Sequence, residues 1–247
     1  ANAIAEYAIE CSLNKVFASE VLDYIVDEAV QIHGGYGFMD EYEVSRAYRD
    51  SRINRIFEGT NEINRLIVPG TYVKKAFKGE LPLLAKAQTL QEELMMLVPE
   101  QVGNQPLDQE KYLLRHAKKV TLLVAGLALQ TYGKAFENEQ EILANIADMV
   151  SNVYAAESCL LRTEKAFGKD GAEKHEQKLL YTQIFVQEAF NQIEQIAKES
   201  IAATVEGDQL QLMLAALRKL TRHTPVNVIT KKRAAADKII EAERYVL

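Results

Sequence analysis

Apolar residues recur along most of this chain at the three- and four-residue intervals of an α-helix buried on one side. Residues 1 to 33 place Ile4, Ala8, Cys11, Val16, Leu22, Ile25, Val26 and Ala29 near that spacing, with Asp and Glu between them, which predicts one or two helices. Gly34, Gly35 and Gly37 stop them, and a tight connection follows to Asp40. The helical pattern returns from Glu43 to Phe57, carrying Arg46, Arg49, Arg52 and Arg55 as a slowly winding row that suits a solvated or ion-paired face. Gly59 breaks it. Thr60 or Asn61 caps the next helix, Glu62 lies in its first turn, and Pro69-Gly70 is expected to end or bend it.

A boundary is predicted near residue 80, where Gly79-Glu80-Leu81-Pro82 interrupts the pattern. Beyond it come a short helix over 83–97, a loop over 99–107 and long helices over about 108–136, 138–167 and 173–204. Gly168 to Gly171 and Glu206 to Asp208 read as turns, and Thr224-Pro225 as an N-cap with proline at the first helical position. The expectation is an all-α protein: an up-and-down helical bundle over 1–79, followed by a second helical bundle over 80–247.

Composition agrees with this reading and narrows the function. Twelve Gly and five Pro in 247 residues leave little material for a turn-dense β fold, and 48% hydrophobic residues can fill a core of this size. The net charge of −6 argues against a general nucleic-acid partner. Cys11 and Cys159 have no ligand-like neighbours and read as reduced, buried thiols. His33, His116, His175 and His223 show no metal-ligand spacing, so no metal is expected, and no hydrolase triad is present. The strongly apolar stretch 120–129 is far shorter than the roughly 20 residues that span a bilayer. Lys118-Lys119 and Lys231-Lys232-Arg233 leave peripheral contact with anionic lipid open. The chain begins Ala1-Asn2-Ala3-Ile4 in a helical pattern without initiator Met or basic stretch, which reads as a piece of something longer with no signal peptide in view.

Two features carry candidate chemistry. Glu58 lies between Phe57 and Gly59 at a helix end, where an apolar ring beside a carboxylate favours its protonated form and suits it to general-base work. A lone Glu before Gly is also an ordinary helix-end residue. The cluster Gly34-Gly35-Tyr36-Gly37 either caps a helix or lets backbone approach a nucleotide closely; it lacks the strand and the spacing of the dinucleotide fingerprint.

Three ordered blocks take the reading further. Gln31-Ile32-His33-Gly34-Gly35-Tyr36-Gly37-Phe38, then Tyr48-Arg49-Asp50, then Ile56-Phe57-Glu58-Gly59-Thr60-Asn61-Glu62-Ile63-Asn64-Arg65-Leu66-Ile67 resemble the C-terminal helical domain of FAD-dependent acyl-CoA dehydrogenases. The resemblance covers about residues 1–79. Residues 80–247 resemble, in placement and helicity, the helical extension of very-long-chain-type members. It implies that Glu58 is the base removing the α-proton of a fatty acyl-CoA while the β-hydrogen leaves as hydride to FAD. Gly59 then contacts substrate. Gln31, Gly34 and Gly35 approach the ADP half of an FAD held mainly by a neighbouring subunit, and Thr60 and Glu62 make further flavin-nucleotide contacts. The resemblance also implies a homodimer, an electron-transfer flavoprotein as acceptor, and bacterial cytoplasm or mitochondrial matrix as compartment. Segments carrying the flavin-ring pocket and much of the acyl channel are not in these 247 residues, so the chain alone is expected to be inactive. The contrasting expectation is a non-catalytic helical module for oligomerisation or membrane docking.

Overall fold

The computed structural model describes residues 6–96 and 101–247, and every regular element among them is a helix. Two compact units result, each treated by itself: the described residues up to Leu81 with Glu137–Ala147, and Pro82–Phe136 with Asp148–Leu247.

In the first unit, helix α1 (Ala8–His33) buries Ile9, Leu13 and Val16 in one stripe and Val26 further along. It stops at Gly34, whose backbone angles (φ 60°, ψ −143°) are open only to glycine, and whose N–H bonds the carbonyl of Gln31. A 3₁₀ turn, Gly34–Phe38, leads on to α2 (Glu43–Ser51). The helix expected to reach Phe57 is cut at Ser51 and continues as a 3₁₀ turn over Arg52–Arg55. Side chains compete with the helical ladder there: Ser51 Oγ donates to the Tyr48 carbonyl at 2.8 Å and Asn54 Nδ2 to the Ser51 carbonyl at 3.0 Å.

Helix α3 (Asn61–Phe77) begins at Thr60, whose Oγ1 accepts from the Ile63 N–H at 3.2 Å. Of the two outcomes expected at Pro69-Gly70, an end or a bend, the end does not occur: the helix continues through Pro69. Proline inside a helix costs about 3 kcal/mol, and burial of Val68, Pro69 and Ala76, with α3 packed along α1, offsets that cost.

In the second unit, α7 (Glu176–Thr204) is the central post. Against it lie α5 (Asp108–Tyr132), α8 (Gly207–Leu220) and α9 (Val228–Ala242), with α4 (Leu83–Met96) outside α5. Val120, Val124 and Ala128 of α5 are at most 1% exposed, as are Ile193, Ala197 and Ile201 of α7. Each set repeats every four residues, so one ridge of each helix is fully covered, and the alanines allow close approach. The apolar stretch 120–129 thus supplies core, and no helix among the described residues is long and apolar enough to cross a membrane.

Helix α6 (Gln140–Asp170) passes through Gly168, where a turn was expected, and breaks only at Gly171, which sits at φ 85°. The predicted start of the last helix at Thr224-Pro225 is also displaced: α9 begins at Val228, with Asn227 as its cap. Distant side chains hold the preceding segment out of a helix. Tyr112 donates to the Arg222 carbonyl at 2.9 Å, His116 Nδ1 to the Leu220 carbonyl at 2.7 Å, and the Val226 N–H to Gln187 Oε1 at 3.1 Å.

The lysines considered for lipid contact are engaged within the second unit. Lys118 meets Glu157 at 2.5 Å, Lys119 meets Glu93 at 2.6 Å, Lys231 meets Gln183 at 2.5 Å and Lys232 pairs with Glu188. Carboxylates already neutralise three of these charges, which weakens the case for lipid docking. Cys159 is half-buried, its Sγ 3.4 Å from Thr182 Oγ1; Cys11 is exposed, contrary to expectation, because its position on α1 faces away from the Leu13–Val16 stripe.

Glu110, in the first turn of α5, is only 2% exposed. Burial pushes its carboxyl above the ordinary range, opposed by its own backbone N–H and by the Lys231 charge, while the Asp108 charge adds to the rise. A raised folded-state value gives a contribution to stability that is complete below the unfolded value and is lost as pH rises through the folded one. Glu110→Gln is therefore expected to raise the denaturant midpoint at pH 7, and the gain over wild type should shrink to nothing on acidification below the ordinary carboxylate range. Equal midpoints at pH 7 would contradict this.

Candidate active site

Glu58 occupies the break between the 3₁₀ turn Arg52–Arg55 and α3. On its N-terminal side the turn closes with the Ile56 and Phe57 N–H groups both bonding the Ile53 carbonyl, at 2.9 and 3.1 Å. On its C-terminal side the Thr60 cap starts α3. Between these fixed ends Glu58 and Gly59 take left-handed backbone angles, φ 54° and 80°. Glycine does so freely, whereas a glutamate there is strained and points to a constraint worth explaining. Glu58 is exposed, and among the described residues neither its backbone N–H nor its carboxylate has a hydrogen-bond partner. Its neighbour Phe57 is also exposed, at 46%. The dry surroundings that proton abstraction requires are thus not supplied by these residues.

Behind the loop lies a polar network on α1. Lys15 Nζ donates to the Gly59 carbonyl at 2.8 Å and to Asn61 Oδ1 at 2.6 Å. Asn61 Nδ2 donates to Ser19 Oγ at 2.9 Å and Glu20 Oε1 at 3.2 Å, and Asn64 Nδ2 to the Gly59 carbonyl at 2.9 Å. Two ion pairs flank it, Arg65–Glu20 at 2.8 Å and Arg55–Asp23 at 2.9 Å. None of the α1 partners was singled out from the sequence. The available signal was the polar set Lys15, Ser19 and Asp23, which recurs every four residues along α1, with Glu20 beside it.

Glu62 is exposed in the first turn of α3, where its own backbone N–H and then the Thr60 hydroxyl hold its carboxyl below the ordinary range. Gln31, Gly34 and Gly35 form a second exposed patch at the other end of α1. Sixteen helical positions separate Lys15 from Gln31, about 24 Å at 1.5 Å per residue. The structure therefore does not bring Gln31, Gly34 and Gly35 together with Glu58, Gly59, Thr60 and Glu62. The glycines differ in what requires them. A Cβ on Gly37 would lie 2.6 Å from the Val30 carbonyl oxygen and 2.9 Å from His33 Cβ, so packing dictates glycine. A Cβ on Gly35 would meet nothing within 4 Å. Among the described residues nothing requires Gly35 to be small, which fits a backbone surface that a bound group approaches.

Two family models, both described as acyl-CoA dehydrogenase, C-terminal domain, match residues 2–70 and 116–219. A crystal structure of an acyl-CoA dehydrogenase complexed with FAD from Bacillus anthracis superposes on the whole chain with a TM-score of 0.97 at 70% identity. The chain belongs to the acyl-CoA dehydrogenase family. A probable acyl-CoA dehydrogenase of Bacillus subtilis (strain 168) is 73% identical over 245 residues, 99% of this chain. The very long-chain specific acyl-CoA dehydrogenase of Bos taurus mitochondria is 31% identical over 193 residues, 71% of this chain and 30% of that protein. The chain spans 41% of the B. subtilis protein and 42% of the B. anthracis chain. The acyl-CoA dehydrogenase match at 116–219 falls on helices α5 to α8, where the sequence showed helicity but no chemical motif.

Proposed function

We propose that this chain is the C-terminal part of an FAD-dependent acyl-CoA dehydrogenase that oxidises a fatty acyl-CoA to the trans-2-enoyl-CoA in fatty-acid β-oxidation, with Glu58 as the base. The observation that carries the reading is an exposed, unpaired carboxylate held on a left-handed backbone at a break whose far side is tied to α1. In the reaction the α C–H bond breaks and its proton goes to the Glu58 carboxylate, while the β-hydrogen leaves with its electron pair as Cα=Cβ forms. FAD, when bound, supplies the hydride acceptor. Glu58 contributes the carboxylate, and its unengaged backbone N–H is available to polarise the thioester carbonyl, which makes the α-proton acidic. Gly59, without a side chain, leaves room for the acyl-CoA.

Gln31, Gly34, Gly35, Thr60 and Glu62 are proposed to contact FAD. A separation of about 24 Å along α1 suits two patches that serve different parts of the cofactor, or different cofactors in a homodimer. Exposed Leu22, Ile25 and Ile32 lie toward one side of α1 and are apolar side chains of the kind that subunits or further domains cover. Residues 1–79 are proposed as part of the catalytic helical domain and 80–247 as the very-long-chain-type extension, with an electron-transfer flavoprotein taking the electrons and the cytoplasm as compartment, in keeping with the Bacillus relatives.

Because Glu58 stands in water on this chain, residues 1–247 alone are expected to catalyse no α-proton exchange. Incubating octanoyl- and palmitoyl-CoA in deuterium oxide separates the cases: the full-length flavoprotein should incorporate deuterium at Cα and the isolated chain should not. Exchange by the isolated chain, or none by the flavoprotein, would overturn the proposal.

A further inference from the structure

One ammonium group holds the Glu58 loop from behind, and its partners are unusual for a lysine near the surface. Glu20, five residues further along the same helix, accepts from Arg65 and Asn61, while Lys15 donates to a backbone carbonyl and a side-chain amide oxygen. The Gly59 carbonyl receives Lys15 and Asn64 together, which uses both of its lone pairs. Asn61, 1% exposed, is fixed at both ends, its oxygen by Lys15 and its nitrogen by Ser19 and Glu20. A peptide group is planar, so clamping the Gly59 oxygen sets the Gly59–Thr60 plane and anchors the loop one residue beyond Glu58. Glu58 precedes that anchor, in a conformation that persists only where its surroundings enforce it.

We infer that Lys15 is a positioning residue for the Glu58 base, acting through the Gly59 carbonyl and Asn61, so that it governs the rate of proton abstraction and not the binding of substrate. The inference rests on the reading of Glu58 as base. Lys15→Met keeps the apolar stem and removes all three donors, leaving Asn61 Oδ1 with only the longer 3.3 Å contact from Ser19. The loop then has one side-chain clamp, Asn64, in place of two. A displacement of about 1 Å at a reacting group lowers rates roughly a hundredfold.

The test uses the full-length, flavin-loaded protein with Lys15→Met, Lys15→Arg and Glu58→Gln. Lys15→Met is expected to lower kcat by about ten- to a hundredfold with KM within about threefold, to keep its flavin, and to speed amide hydrogen exchange over residues 57–62 by about tenfold or more. Lys15→Arg, which can still donate to both acceptors, should recover most of the rate and protection. Unchanged kcat or unchanged exchange in Lys15→Met would overturn the inference. So would loss of flavin, or a KM change as large as the fall in kcat, which mark a general structural role. Should Lys15→Met not fold, Lys15→Gln is read by the same measurements, and failure of both to fold also overturns the positioning role. Full turnover by Glu58→Gln would remove the base assignment itself, whatever Lys15→Met does.

Discussion

Glu58→Gln in the full-length flavoprotein is expected to lower α-proton exchange and turnover by about 10²–10⁴-fold, the usual worth of a general base, with flavin content unchanged. Gln has nearly the shape of Glu but takes up no proton. The substitution is mild for the fold because the Glu58 carboxylate bonds no described residue, and Gln bears the φ of 54° no better and no worse. The Lys15, Asn61 and Asn64 bonds reach the Gly59 carbonyl and the start of α3 rather than the side chain at 58, so the loop keeps its place. Flavin per chain, thermal midpoint and deuterium incorporation at Cα are the three measurements. Turnover within about tenfold of wild type with flavin retained would show that another group takes the proton.

The second large effect separates two glycines that look alike in sequence. Gly37→Ala is expected to destabilise the first unit by about 1–3 kcal/mol, the range for overpacking, because the new methyl would sit 2.6 Å from the Val30 carbonyl oxygen. Backbone cannot move aside as a flexible side-chain tip can, so the last turns of α1 or the 3₁₀ turn must shift. Gly35→Ala meets open space and should change stability by less than about 0.5 kcal/mol, as surface substitutions usually do. Under the proposed function Gly35→Ala should nevertheless weaken flavin retention, since the added methyl occupies surface meant for the cofactor. Denaturant midpoints together with flavin per chain after gel filtration distinguish the two. Equal midpoints for Gly37→Ala and wild type would contradict the packing argument, and full flavin retention by Gly35→Ala would remove Gly35 from the cofactor surface.

What could be read from sequence divides along the line between local and distant causes. The stop at Gly34 and the cap at Thr60 follow from the residue itself, and both appear where expected. Pro69, expected to end or bend α3, does not end it, because the decisive force is packing of α3 on α1, which no short window contains. The start of α9 was misplaced because the bonds that hold 221–226 out of a helix come from Tyr112, His116 and Gln187, up to 110 positions away. At the candidate site the motif drew attention to Glu58, Gly59, Thr60 and Glu62. Lys15 stayed hidden for the same reason as the α9 boundary: it is 44 residues from the carbonyl it holds, and a lysine on a helix has no local feature that announces a partner.

The left-handed backbone at Glu58 has an evolutionary consequence. Glycine would sit there without strain, so each generation of mutation offers this loop a sturdier alternative that lacks a carboxylate. A lineage selected only for heat tolerance would drift toward that alternative, so an acid is expected to survive here only where the proposed base role is under selection.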